Sequence, residues 1–199
     1  MQKIKLNTAC LLNFFENHHN VKKTLLGMLD HADAEVHELG KDKFDDFIHR
    51  LDWDKNEDFN RPWVQYLKPF LENYFNQCAQ YLGYQTAKIK QIWFQHYNTE
   101  GRHGWHIHGE NYTGVYYVKF NKKCAKTELI DPLKQNKKIV INAKEGDIVI
   151  FPSYVIHRAT TQKENEDKII VSFNLEFLNI KPSLINPINE LKGTYGFNN

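Results

Sequence analysis

The chain has few cysteines, and their spacing does not match a disulfide framework or a metal site. Its three cysteines, Cys10, Cys78 and Cys124, are odd in number and widely separated, and no CxxC pair occurs. Disulfide-stabilised secreted domains carry many cysteines, usually in even numbers. The pattern therefore indicates reduced thiols in a cytoplasmic protein, and it makes cysteine a poor candidate for a metal ligand.

Long apolar runs and an excess of charge are also missing. No stretch approaches the roughly 18 apolar residues that span a bilayer, and the opening MQKIKLNTACLLNFF is too short and broken in its apolar part for a signal peptide. The 26 Lys and Arg nearly cancel the 24 Asp and Glu, which leaves a net charge of +2. This balance gives no argument for a membrane surface and disfavours a nucleic-acid partner.

The length of 199 residues suits a single domain covering 1–199, and the chain shows no internal repeat. Residues 1–85 are predicted to be mainly helical. One helix is expected from about Ala9 to about Ala32, with a further helical turn near Phe44. A second begins at Pro62, which suits a first helical position, and ends at Gly83.

Residues 86–177 have the texture of strands, with short β-branched and aromatic runs broken by Gly, Asn and Pro. Short strands without intervening helices favour an antiparallel sandwich or barrel. The fold class is therefore mainly β with N-terminal helices packed on one side (α+β), and residues 178–199 are expected to form a tail. The predicted strands are Ile89 to Tyr97, Gly114 to Phe120, Glu128 to Ile130, Lys138 to Asn142, Asp147 to Phe151 and Lys168 to Phe177.

Three histidines point to a metal site. His106 and His108 lie one residue apart before a predicted strand, and His157 follows a later one. Alternate residues of a strand face the same side, so two imidazoles can converge and the third can join them from a neighbouring strand. Such a set suits Fe, Zn, Cu or Ni, with positions left open for substrate. His103 lies close by and is expected near the mouth of the site.

The last predicted strand places polar side chains on one face. Lys168, Ser172 and Asn174 alternate along a strand that is otherwise apolar. If that face points into the sandwich, Lys168 is a cation that needs an anion, because an unpaired buried charge is costly. If the face points outward, Lys168 is a solvated lysine at an edge, and the sequence leaves both possibilities open.

Five motifs follow one another along the chain: HxH at 106–108, GVYY at 114–117, EGDIVIFPSYVIH at 145–157, a basic residue at 168, and SFN at 172–174. In order and spacing, these motifs resemble the 2-oxoglutarate- and Fe(II)-dependent oxygenases, in a branch often found in phages and bacteria. The likeness covers about residues 88–177. It implies a double-stranded β-helix, a cupin-like jelly roll that holds iron in its mouth, with the N-terminal helices buttressing one sheet. For a phage-encoded chain, the cytoplasm would be that of the host.

By matching position, the resemblance implies that His106 and His157 are iron ligands. The family pattern is His-x-Asp/Glu with a distal His, and His108 stands where the carboxylate is expected. Either three imidazoles hold the iron, or Glu110 supplies the carboxylate, or the third position is open. We favour His108, because Gly109 makes it uncertain that the strand continues to Glu110.

The resemblance also implies a site for 2-oxoglutarate, whose far carboxylate would bind Lys168, at a position where Arg is commoner. Since Lys offers a point charge and not a bidentate fork, we expect a hydroxyl to assist, from Tyr117, Ser172 or Tyr97. The implied activity is hydroxylation of an unidentified substrate by O2, with release of succinate and CO2. That substrate could be a small molecule or a protein side chain.

Two other interpretations stay open at this point. A cupin-type metalloprotein or dioxygenase with three histidines would use neither 2-oxoglutarate nor Lys168. A β-sandwich with a binding or structural role would need no catalytic metal.

The aromatic side chains of the helix at 61–84 could support a homodimer. Trp93, Trp105 and Tyr116 could line the pocket or pack in the core, and we favour packing for Trp93.

Overall fold

A computed structural model describes residues 8–37 and 46–185, which form two antiparallel sheets and a layer of helices. The expected helical turn near Phe44 and most of the expected tail lie outside this range. The helices are α1 (His18–Asp30), α2 (Pro62–Tyr81) and α3 (Pro182–Ile185), with a 3-10 turn at Trp53–Lys55. The strands are β1 (Leu11–Phe14), β2 (Glu35–Val36), β3 (Arg50–Leu51), β4 (Tyr84–Tyr97), β5 (His103–His106), β6 (Tyr112–Lys119), β7 (Thr127–Ile130), β8 (Lys138–Val140), β9 (Asp147–Pro152), β10 (His157–Ala159) and β11 (Lys168–Ile180).

The two sheets exchange strands along the chain. The large sheet has seven strands in the order β1-β9-β6-β11-β4-β3-β2, and the small sheet has four in the order β5-β10-β7-β8. From β4 onward the chain moves from one sheet to the other and back, with only β7 and β8 consecutive in the same sheet. This winding is a double-stranded β-helix, or jelly roll. The predicted fold class is thus confirmed.

The large sheet separates two hydrophobic cores. One core lies between this sheet and the helices, and it includes Val171 and Phe173 of β11 together with Leu67 and Phe75 of α2. The other lies between the two sheets and includes Ile170. Because side chains alternate along a strand, β11 contributes to both cores.

Helix α2 has the predicted limits, whereas the predicted helix from Ala9 to Ala32 begins too early. Pro62 is the first residue of α2, and Gly83 follows its end with a φ of +90°. The residues before α1 instead form β1, which pairs with β9 in register from Leu11 opposite Ile150 to Phe14 opposite Asp147. The free edge of β9 offers backbone partners to an apolar segment, so tertiary pairing outweighs the helical pattern. The division of the chain at 85 and 177 stays a prediction.

The described parts of the chain contain no helix long and apolar enough to cross a membrane.

A buried ion pair joins the start of α2 to β4. Asp52 is fully buried, and its carboxylate accepts hydrogen bonds from the Arg61 guanidinium, from the Trp63 indole at 3.0 Å and from the Phe94 N–H at 2.8 Å. Arg61 also donates to the carbonyl of Ile92, at 2.6 Å. The network fixes the backbone of β4 at Ile92 and Phe94. Trp93, which lies between these residues, lines the cavity described below.

We expect Asp52→Ala to lower the free energy of unfolding by about 3–5 kcal/mol, because the change leaves the Arg61 guanidinium buried without a counter-charge. Urea denaturation measures the effect. The control is Asp54→Ala, which removes a partly exposed carboxylate 4.0 Å from Lys55 and should change stability by no more than about 0.5 kcal/mol. A loss below about 1 kcal/mol for Asp52→Ala would show that the pair is not structurally important.

Candidate metal and cosubstrate site

The structure brings His106, His108 and His157 together between the two sheets. His106 is the last residue of β5, and it lies opposite His157, the first residue of β10. His108 follows two residues after β5, and its backbone N–H donates to the Ser153 carbonyl at 3.1 Å. One nitrogen from each of the three rings lies within 4.8 Å of the others. The predicted convergence of the three imidazoles is therefore present.

Hydrogen bonds orient two of these rings. Nδ1 of His106 lies 2.8 Å from the Gly104 carbonyl, and Nδ1 of His157 lies 2.9 Å from the Val155 carbonyl. Because a carbonyl can only accept, each Nδ1 carries the proton and each Nε2 keeps a free lone pair. A backbone carbonyl on the second ring nitrogen is a common arrangement behind a metal-bound histidine.

Burial keeps all three imidazoles neutral. It lowers the pKa of His157 to about 2 and that of His108 to about 3, and it lowers the pKa of His106 as well. Metal binding requires the unprotonated form, so the cluster is already in its ligating state at neutral pH. Three neutral nitrogen donors, two of them with a tautomer fixed by a hydrogen bond, suit a divalent transition metal.

Glu110 does not join the cluster of metal-ligand atoms found among the described residues. It lies in a bend between His108 and β6 and is half-buried. The strand β5 already ends at His106, and Gly109 lies in the same bend as Glu110, so the alternation that would carry Glu110 to the same face is absent. The geometry thus favours His108 over Glu110 as the third ligand.

Lys168 lies inside the jelly roll, which settles the question that the sequence left open. Its side chain is only 1% exposed, and its Nζ donates to the Ala125 carbonyl at 2.9 Å and lies 4.8 Å from the centre of the Tyr97 ring. Burial lowers the pKa of Lys168 to about 8. Within the described chain, no carboxylate forms an ion pair with it. A buried ammonium in this state favours an anionic ligand.

The three predicted helpers occupy different positions around this cation. Tyr97 and Ser172 both line the cavity that contains the histidines, and Ser172 donates its hydroxyl to the Gln95 side chain at 3.0 Å. Tyr117 is fully buried, and its hydroxyl donates to Thr127 at 2.8 Å. Tyr97 therefore connects the histidine cavity to Lys168, whereas Tyr117 acts on the cavity only through Thr127.

Several cavity residues were not identified from the sequence. Gln95, Thr113, Thr127 and Arg158 line the cavity, and so does Trp93, for which packing was favoured. Gln95 could have been found, because it alternates with Trp93 and Tyr97 on β4.

The other two candidate aromatic residues lie elsewhere. Tyr116 faces the helices, where its hydroxyl meets the His18 ring at 2.7 Å. Trp105 is partly exposed and is covered by the Arg158 guanidinium, whose central carbon lies 4.4 Å from the centre of the indole ring.

Comparison with known proteins agrees with this geometry. A family model described as "Putative 2OG-Fe(II) oxygenase" matches residues 91–174, a range that contains the three histidines and Lys168. A search of curated proteins found no match.

Several solved structures share the fold, at low sequence identity. A prolyl-4-hydroxylase from Pseudomonas putida is 13% identical, with a TM-score of 0.57 and coverage of 84% of this chain and 92% of that one. An oxidoreductase of the 2OG-Fe(II) oxygenase family from Burkholderia pseudomallei is 11% identical, with a TM-score of 0.63 and coverage of 86% and 87%. A prolyl hydroxylase from Trichoplax adhaerens, in complex with a peptide fragment of hypoxia inducible factor, is 16% identical, with a TM-score of 0.58 and coverage of 83% of both chains.

The family match over residues 91–174 confirms the resemblance seen in the motifs, and together with the three histidines it indicates a 2-oxoglutarate- and Fe(II)-dependent oxygenase. Fe(II) and 2-oxoglutarate are the cofactors that this class requires, and O2 and an organic substrate are its partners in the reaction.

Substituting the two candidate third ligands separates them. We expect His108→Ala to weaken Fe(II) binding at least about tenfold, because it removes one of three donors, as outer-shell losses alone cost ~10–100-fold. Glu110→Gln should bind Fe(II) like the wild type. Anaerobic equilibrium dialysis measures both constants. If Glu110→Gln fails to bind Fe(II) while His108→Ala still binds it, Glu110 and not His108 is the third ligand.

Proposed function

We propose that His106, His108 and His157 hold Fe(II) and that Lys168 binds the far carboxylate of 2-oxoglutarate. When bound, these cofactors and O2 supply the oxidant for hydroxylating a C–H bond, with release of succinate and CO2. The observation that carries the proposal is that three neutral, converging imidazoles share a cavity with Tyr97, whose ring centre lies 4.8 Å from a buried ammonium that has no acidic partner in the described chain.

The side chains divide the cavity into two regions. Tyr97, Thr127 and Ile170 lie on the side toward Lys168, where an extended dicarboxylate would run from the histidines to the ammonium. Tyr97 supports the ammonium with the face of its ring. Burial lowers the pKa of His103, which lines the cavity, and the charges of His106 and Lys168 lower it further, so the ammonium also acts electrostatically on this space.

The remaining lining supports an uncharged substrate group. No carboxylate lines the cavity among the described residues. Arg158 is the charged residue that lines it, and its Nε donates a hydrogen bond to the Glu128 carboxylate at 2.8 Å. Neutral side chains, including Gln95, Thr113 and Ser172, offer hydrogen bonds without charge. We infer that the group which enters is neutral, from a small molecule or from an uncharged protein side chain.

A cupin-type mechanism without 2-oxoglutarate gives Lys168 no role, although burying a lysine is costly.

The homodimer stays a prediction. Within α2, Trp63 and Phe75 are buried in the core, and Tyr81 is 81% exposed. Any dimer contact through this helix would therefore depend on its C-terminal end.

Visible absorption of the anaerobic protein tests the proposed function. Adding Fe(II) and then 2-oxoglutarate should produce a weak charge-transfer band that requires both. His157→Ala should abolish the band. Lys168→Met, which keeps the shape of the side chain without its charge, should raise the dissociation constant of 2-oxoglutarate ~10–100-fold, since hydrogen bonds to charged groups are worth about 1.5–3 kcal/mol.

Lys163→Met is the matched control for Lys168→Met, because Lys163 is exposed on the surface. It should leave the band and the dissociation constant unchanged. If Fe(II) binds but the spectrum ignores 2-oxoglutarate, the cupin-type interpretation replaces the proposal. If Lys168→Met binds 2-oxoglutarate as tightly as the wild type, the anion site lies elsewhere.

The affinity for 2-oxoglutarate should depend on pH through Lys168. Its pKa of about 8 means that the free protein loses the ammonium as the pH rises through this value. We expect the dissociation constant to rise up to about tenfold per pH unit above about pH 8, because binding must then restore the proton. The histidines are neutral throughout this range. In Lys168→Met the titration should be flat, and an equal slope in that variant would contradict the assignment.

A further inference from the structure

The two oriented histidines use the same local device, but the carbonyls behind them are anchored differently. His106 donates to Gly104 and His157 donates to Val155, in each case two residues earlier. Val155 belongs to a local turn, in which its N–H donates to the Pro152 carbonyl at 2.9 Å. The N–H of Gly104 instead donates to the side chain of Asp46, at 2.6 Å.

Asp46 reaches this position from a distant part of the sequence. Its neighbour Phe47 forms an antiparallel bridge with Arg102, with N–O distances of 2.9 and 2.7 Å, and so lies alongside the start of β5. The second oxygen of Asp46 is 3.7 Å from Nε2 of His103. His103 stacks on His106, with ring centres 3.9 Å apart and an angle of 23° between the planes.

The charge of Asp46 acts on a site that has no acidic ligand. The cluster of three imidazoles is neutral, and the lining described above contains no carboxylate. Asp46 itself is not part of the cluster of ligand atoms. Its carboxylate therefore acts on His106 indirectly, through the Gly104 backbone and the His103 ring.

We propose that Asp46 is a positioning residue for the metal ligand His106. By accepting a hydrogen bond from the Gly104 N–H, it fixes the backbone at the start of β5. The Gly104 carbonyl then meets Nδ1 of His106, and Nε2 stays free. It also supplies, outside the ligand set, the negative charge that a set of three histidines lacks. This inference rests on the metal ligands given under the proposed function.

Binding of Co(II), a visible stand-in for Fe(II), tests the inference without any need for turnover. Asp46→Ala removes both the acceptor and the charge, and we expect its Co(II) dissociation constant to rise ~10–100-fold, the usual effect of losing a group behind a ligand. Its d–d absorption bands should also shift, because the His106 ring is no longer held. Asp46→Asn keeps an acceptor oxygen for the Gly104 N–H, so it should show a smaller loss and unshifted bands.

Glu35→Gln is the matched control, because Glu35 is a half-exposed carboxylate 3.2 Å from a histidine, His37, outside the cavity. It should bind Co(II) like the wild type. Circular dichroism and thermal unfolding verify the fold, and if Asp46→Ala fails to fold, Asp46→Asn decides through its dissociation constant.

Two results would overturn the inference: Co(II) binding at the wild-type constant in the Asp46 variants, or an equal loss in Glu35→Gln. If His157→Ala loses Co(II) while the Asp46 variants bind normally, only this inference fails. If the wild type binds neither Co(II) nor Fe(II), the proposed function fails with it.

Discussion

The register of β11 is the constraint on which both the fold and the site depend. This strand lies between β4 and β6 and pairs with them along most of its length. Its odd-numbered residues, such as Ile169 and Val171, face the helices. Ser172 lines the cavity, and Lys168 lies on the same side of the strand against the ring of Tyr97. A slip of one residue would exchange the two faces. It would place an ammonium in the apolar core under α2, which is costly, so the packing of the helices also selects the register that builds the site.

The electrostatics of the site follow from which charges the jelly roll encloses. The ring nitrogens of the histidines are neutral through burial, and the ammonium of Lys168 is enclosed without a counter-ion in the described chain. With three neutral donors, a bound dication would keep its full charge. A dianionic cosubstrate held beside the metal and Lys168 would offset both charges, which no neutral ligand could do. Metal and dicarboxylate should then each strengthen the binding of the other, because coupling between two sites is reciprocal.

Much of this architecture could be predicted from the sequence, because the relevant signals are local. The strands β4, β6, β7, β8, β9 and β11 lie where such runs predict them, and the HxH pair and His157 are recognisable in their own segments. The short strands β5 and β10 lack such runs and were not among the predicted strands. The strand β1 was missed because its partner, the edge of β9, lies more than a hundred residues away. The orientation of Lys168 could not be decided for the same reason, since alternation gives two faces but not which one is inside.

The metal ligands and the cosubstrate site also differ in how far apart their components lie in the chain. His106 and His157 are oriented by carbonyls two residues away, so a short motif encodes most of their geometry. The proposed anion site depends on Lys168 from β11, Tyr97 from β4 and the Ala125 carbonyl before β7. Its geometry therefore depends on the packing of both sheets. The metal site depends on fewer such contacts, chiefly the pairing of β5 with β10. A destabilised variant should accordingly lose affinity for 2-oxoglutarate before it loses metal, because the parts of a fold open with different free energies.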